Sequence, residues 1–220
     1  MNADHQLALT YQPHIQKDLR EPFPIRYFGY TVFRERADSR SFARLTLDPA
    51  EHGAACIIEY AVYYDYDIQH LYDLEHAWVA VDRRGAVAGC WSSFHGMRLR
   101  DHRIGTFRLE DTHPVLYAQP GKHALLPDPA LFWLHQDFPE SCGAKAGGGL
   151  LIPPMLADKM HTDEAQDRMI DRYIKERCAF TPALAFEPET VTPEQVIPWP
   201  ELEERIPRMV EAELARLRSM

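Results

Sequence analysis

Asp65-Tyr66-Asp67-Ile68-Gln69-His70-Leu71-Tyr72-Asp73-Leu74-Glu75-His76 places four carboxylates and two imidazoles in twelve residues. On both sides the chain reads as buried strand. Cys56 to Tyr66 is apolar and aromatic upstream, and Ala77-Trp78-Val79-Ala80-Val81 is apolar downstream. Carboxylates brought to the ends of core strands need a compensating charge, because burying one unpaired is costly. A bound cation neutralises several at once. In a strand, residues two apart point the same way. Asp73 and Glu75 therefore share a face with Ala77, Val79 and Val81, and Asp65 and Asp67 share a face on the preceding strand. His70 lies in the short connection. Such an oxygen-rich set with one imidazole suits Ca²⁺, Mg²⁺ or Mn²⁺, and suits Zn²⁺ or iron less well. The competing reading is a polar hairpin whose acids face water and pair with Arg or Lys.

The rest of the first half is also rich in strand signals. Ile25 to Arg34 has strand composition and is entered through Pro22 and Pro24. His76 to Val81 and Ala86 to Phe94 flank Asp82-Arg83-Arg84-Gly85, a hairpin connection with Gly85 in an unusual backbone state. Pro114 to Gln119 is a further strand, stopped by Pro120-Gly121. Successive hairpins imply a mainly β fold, an antiparallel two-layer β-sandwich with flanking α-helical segments. Residues 1–125 form the sandwich core with the metal site, and residues 126–220 a helical and loop-rich extension packed on the same domain, shielding one sheet edge. Within it, Pro129 opens a short helix to His135. Residues 142–149, with three consecutive glycines, read as a flexible loop or a lid over the strand ends. Thr162 caps a helix running to Cys178. Residues 201–218 are helical in composition, with Pro207 expected to end or kink that helix.

The formal charge of −9 argues against a nucleic-acid surface. The only basic concentrations, Arg83-Arg84 and Arg98 to Arg103, read as solvated loops. No apolar run is long enough to span a bilayer. Neither an export signal nor a paired-cysteine motif is evident, so Cys56, Cys90, Cys142 and Cys178 are expected as free thiols and the protein as cytoplasmic.

Two further histidines end apolar strands beside glycines, His95 before Gly96 and His123 after Gly121. With His70-Leu71-Tyr72-Asp73-Leu74-Glu75, Ser93-Phe94-His95-Gly96 and Val115-Leu116-Tyr117 leading to His123, the chain resembles the necrosis-inducing (Nep1-like) and vacuolar-sorting-62-like proteins over residues 8 to 125. The Nep1-like heptad Gly-His-Arg-His-Asp-Trp-Glu is matched at His70, Asp73 and Glu75. Tyr72 and Leu74 replace its second His and its Trp, and the export signal and N-terminal disulfide region of the secreted toxins are not evident. Tyr11-Gln12-Pro13 and Phe23-Pro24 are similar to the opening of the vacuolar-sorting-62-like domains. The resemblance implies a β-sandwich and a divalent cation held by His70, Asp73, Glu75 and either Asp65 or Asp67. It also implies His123, and with less support His95, in its surroundings.

Three functions are compatible with these residues. The first is a metal-dependent enzyme, a hydrolase in which the ion activates water and His123 or His95 carries protons. Arg98, Arg100 or Lys122 would then neutralise an anionic substrate. The second is a non-catalytic module whose ion grips a small molecule, a sugar or a lipid head group. The third is an ion that only ties strand ends together. The surplus of imidazoles favours the enzyme, because chemistry needs a proton carrier and binding does not. Oligomeric state leaves no mark on the sequence.

Overall fold

The computed structural model describes residues 2–99, 102–103 and 107–220, so Arg100 lies outside it. In chain order the principal elements are helix α1 (Ala3–Tyr11), strands β1 (His14–Asp18), β2 (Ile25–Phe33), β3 (Cys56–Tyr66), β4 (Leu71–Val81), β5 (Val87–Phe94), β6 (Arg108–Glu110), β7 (His113–Ala118) and β8 (Leu125–Leu126), helix α2 (Glu164–Tyr173), strands β9 (Phe186–Pro188) and β10 (Val196–Pro198), and helix α3 (Trp199–Arg218). The larger sheet runs β10-β2-β3-β4-β5, and the second runs β6-β7-β1-β9 with β8 on β7. Most pairs are antiparallel, as hairpins require. The sheets are nonetheless mixed, because β10 runs parallel to β2 and β1 parallel to β7. Those two pairings join segments far apart in sequence, which no hairpin signal marks. Among the described residues no helix is long and apolar enough to cross a membrane.

The larger sheet is covered on both faces, which explains why β3 is apolar almost throughout. Ile58, Tyr60, Val62 and Tyr64 pack with Leu116 and Leu125 of the second sheet. Ala61 and Tyr63 point the other way, toward Ile170 of α2 and Trp199, Leu202 and Ile206 of α3. Each fully buried side chain of this size contributes roughly 1.5–3 kcal/mol. β4 follows the same alternation: Asp73 stands opposite Tyr64 and Glu75 opposite Val62, on the face between the sheets with Ala77 and Val79.

The last third departs from its sequence reading in several ways. It adds β9 to one sheet and β10 to the other, so it is built into the sandwich. The cap of α2 is Asp163, whose carboxylate accepts the Gln166 N–H, and not Thr162. α3 runs from Trp199 to Arg218, so of the two expectations for Pro207 the ending of the helix is the one overturned. A proline inside a helix costs about 3 kcal/mol. Burial of Leu202, Ile206, Val210, Leu214 and Leu217 along one stripe outweighs that cost. The glycine-rich segment is hydrogen-bonded to the turn at the strand ends. The Gly147 N–H donates to the Ile68 carbonyl at 2.9 Å, and the Leu71 N–H to the Gly149 carbonyl at 2.9 Å. A Cβ at residue 148 would lie 1.9 Å from the Gln69 carbonyl oxygen. The glycines allow this backbone-to-backbone approach over the turn that joins β3 to β4.

Candidate functional site

The β3–β4 turn, the end of β5 and the turn after β7 meet at one end of the sandwich. They line a half-open cavity of about 370 Å³ whose walls include Asp67, His70, Asp73, Glu75, His95 and Lys122. Phe42, Tyr72, Pro153 and Met155 add an apolar wall. Three residues here, Tyr72 (φ 53°), His95 (φ 50°) and His123 (φ 55°), adopt left-handed backbone. That costs non-glycine residues about 1–3 kcal/mol each and is characteristic of functional sites.

The turn after β7 delivers two cationic groups. Gly121 (φ 69°) passes against Ile68, and the N–H groups of Lys122 and His123 both donate to the Gln119 carbonyl. Lys122 Nζ then reaches Asp67 Oδ2 at 2.7 Å and Gln69 Oε1 at 2.9 Å. His123 turns inward, fully buried and stacked on Tyr64 with ring centres 3.8 Å apart. Its Nδ1 donates to Asp73 Oδ2 at 3.1 Å and its Nε2 to Glu21 Oε1 at 3.4 Å. Burial opposes the charged ring, but bonds to Asp73 and Glu21 prevail and raise its pKa to about 10. His123 is thus an imidazolium behind the cavity. That geometry gives it the part of an internal counter-ion, with neither the access nor the free nitrogen that a proton carrier needs.

The acids differ sharply from one another. Burial pushes the Asp73 carboxyl up, but His123, His70 and Lys122 together hold it below its ordinary range. Glu75, two residues along the same strand face, has no ion-pair partner among the described residues. Burial and the Asp73 charge raise its pKa to about 8, and the Ser93 hydroxyl that donates to it offsets only part of this. Asp67 accepts the Gln69 N–H on Oδ1 and Lys122 on Oδ2. Asp65 is elsewhere. It belongs to the opposite face of the sheet, pairs with Arg26 at 3.4 Å and lines a different cavity with Glu213 and Arg216. The strand alternation expected for Asp65 and Asp67 stops at Tyr66, where β3 ends and the turn re-aims Asp67.

His70 donates from Nδ1 to the Tyr72 carbonyl at 2.8 Å, and its Nε2 lies 3.6 Å from Asp67 Oδ2. A ring nitrogen fixed in this way by a carbonyl on its other side is the usual setting of a metal-ligating histidine. The donors present, carboxylate and amide oxygens with one imidazole, are chemically suited to a divalent ion. Among the described residues, Asp67 pairs with Lys122, Asp73 and Glu21 both pair with His123, and Glu75 is in no ion pair. Among the described residues, however, no three His, Cys, Asp or Glu side chains converge closely enough to hold an ion as they stand. His95 lies on the cavity wall with Nε2 3.0 Å from Gln119 Oε1, and burial followed by the nearby Lys122 charge lowers its pKa, so it is neutral near pH 7.

Several participants escaped the sequence reading. Glu21 carries no local signal beyond preceding Pro22, yet it accepts both His123 and the Gly121 N–H. His76 reads as a core residue. It lies on the cavity wall with Nε2 3.1 Å from the Ser41 hydroxyl, which donates to the buried Glu59 at 2.5 Å. Burial lowers the His76 pKa to about 3.

No protein-family model matches the chain, and no curated protein does. Among solved structures it is similar to necrosis and ethylene inducing protein 2 from the causal agent of cocoa's witches' broom disease, at 20% identity and TM-score 0.36, covering 56% of this chain and 68% of that one. It is similar to NLPPya in complex with mannosamine at 14% identity and TM-score 0.39, covering 59% and 70%. The complex of NLPPya with glucosamine gives 14% identity and TM-score 0.38, covering 58% and 68%. These values describe a distant resemblance to Nep1-like proteins.

Proposed function

We propose that the cavity is a divalent-cation-dependent binding site for a small polar ligand of the sugar or lipid head-group type. One observation carries the reading. Asp67, Asp73 and Glu75 line a single half-open cavity together with His70, and among the described residues Glu75 has no ion-pair partner. His70 through Nε2, with Asp67, Asp73 and Glu75, would hold the ion. A hard ion there grips ligand hydroxyl or phosphate oxygens, while Phe42, Tyr72 and Met155 offer apolar contact to the carbon skeleton.

A metal-dependent hydrolase is the second reading, and His95 is the observation that favours it. A divalent ion bound in such a site acidifies water and polarises a substrate oxygen. His95 is neutral, lies on the same wall and is suited to accept a proton at neutral pH. The withdrawal of His123 from the cavity leaves His95 as the one imidazole of the pair on its wall and favours binding over chemistry.

Calorimetric titration with Ca²⁺ or Mn²⁺ tests the common premise. The expected result is stoichiometric binding together with a higher melting temperature. At a hundredfold excess over the dissociation constant, stabilisation reaches about 2.7 kcal/mol. No heat at millimolar ion and an unchanged melt would overturn both readings. If the ion binds, loss of hydrolysis on His95→Gln at unchanged ion affinity would favour the enzyme.

A further inference from the structure

Lys122 fills a seat of two oxygens at the cavity wall. Its side chain is largely buried, and its ammonium lies between Asp67 Oδ2 at 2.7 Å and Gln69 Oε1 at 2.9 Å. A carboxylate oxygen and an amide oxygen are the hard donors that Ca²⁺ and Mg²⁺ take. His70 Nε2 lies 3.6 Å from the same Asp67 oxygen and is a third group of ligand type beside it. The chain's own ammonium therefore occupies oxygens that an ion would need.

We propose that Lys122 is a tethered counter-cation that competes with the divalent ion, so that loading the cavity requires the ammonium to leave Asp67. This rests on the cation-dependent reading of the cavity and deepens it. Two features make the exchange feasible. Lys122 hangs from a tight turn whose backbone is fixed by the Gln119 carbonyl and Gly121, so only its flexible four-carbon stem has to move. Lys122 also forms part of the wall of the half-open cavity, so its ammonium borders that space.

The arrangement also accounts for the spread of the site as it stands. With Lys122 on Asp67 and His123 on Asp73, two of the three carboxylates are already engaged by internal cations, and the acids do not gather on one point. The two cations are not equivalent. His123 is enclosed between Glu21, Asp73 and Tyr64 and cannot withdraw without opening the core. Lys122 can. The protein thus holds a resting state in which the buried Asp67 is neutralised at no risk of exposing an empty acidic cavity. Ion affinity is set by the difference between the two occupants of the Asp67 seat and not by the ion's contacts alone.

The test is calorimetric titration of Ca²⁺ and Mn²⁺ into wild type and Lys122→Met, which keeps most of the apolar stem and removes the charge. A charge-assisted contact of this kind must be broken before the ion binds, so its removal should tighten binding by about tenfold or more. The ion-induced rise in melting temperature should be larger in the variant as well. If wild type binds and Lys122→Met binds equally or more weakly, the competition is refuted while the cation-dependent reading stands. If neither protein binds, both fall. Should Lys122→Met fail to fold, wild type with ¹⁵N,¹³C-labelled lysine gives the answer. The Lys122 ammonium signal should lose its protection from exchange as Ca²⁺ is added, and a signal unchanged at ion saturation overturns the proposal.

Discussion

Glu75 has no ion-pair partner among the described residues, and its titration has a measurable consequence. Burial and the neighbouring Asp73 charge raise its pKa from 4.5 to about 8. The folded state therefore holds a proton that the unfolded chain has lost over that interval, and stability falls as pH rises. The contribution is fully present below 4.5 and is lost as pH passes through about 8. Each pH unit in the interval is worth about 1.4 kcal/mol. Between pH 6 and 9 the loss attributable to Glu75 is then roughly 2–3 kcal/mol. Glu75→Gln keeps the acceptor for the Ser93 hydroxyl and cannot ionise. Urea unfolding of both proteins at pH 6, 7, 8 and 9, in chelator, should show wild type losing roughly 2–3 kcal/mol more than the variant across the range. Parallel pH profiles would refute the claim that Glu75 is buried beside a like charge. Saturating Ca²⁺ should flatten the wild-type profile, because the ion supplies the missing counter-charge.

His123 links in the same direction. Its pKa rises from 6.5 to about 10, so its contribution is complete below 6.5 and is lost as pH rises through about 10. His123→Gln leaves Asp73 and Glu21 buried without their imidazolium and should cost about 3–5 kcal/mol in thermal or urea unfolding at pH 7; a cost under about 1 kcal/mol would contradict the counter-ion role. Asp67→Asn should weaken Ca²⁺ binding about tenfold or more while Asp65→Asn leaves it unchanged, and equal effects in calorimetry would place the site wrongly. Gly148→Ala should destabilise the protein by about 2 kcal/mol or more, read as a lower urea midpoint, because its Cβ would collide with the Gln69 carbonyl.

The acidic turn was legible because alternation in a strand is a local rule. Asp73 and Glu75 share a face with Ala77 and Val79, and the register of β4 against β3 obeys the same rule. That rule fails one residue past a strand end, which is why Asp65 and Asp67 could not be separated from the sequence. The sandwich and its hairpins were legible from apolar runs punctuated by Gly and Pro. The parallel pairings of β1 with β7 and β10 with β2 were not, since each joins segments about a hundred residues apart or more. Glu21 and His123 meet for the same non-local reason. The glycines at 147–149 signalled an unusual backbone, but only the turn beneath them shows the close approach they allow.

The placement of β9 and β10 bears on how the chain assembles. These short strands lie close together in sequence yet finish different sheets, one along β1 and the other along β2. Until they arrive, both partner strands present unpaired backbone donors and acceptors. Their contacts span most of the chain, so the entropy of closing those loops is met late. During synthesis, a sandwich emerging without its last forty residues would carry two open β-edges at once. Such edges invite pairing between nascent copies. The C-terminal segment therefore serves as a lock on both sheets, and the step that engages it is where folding and aggregation compete.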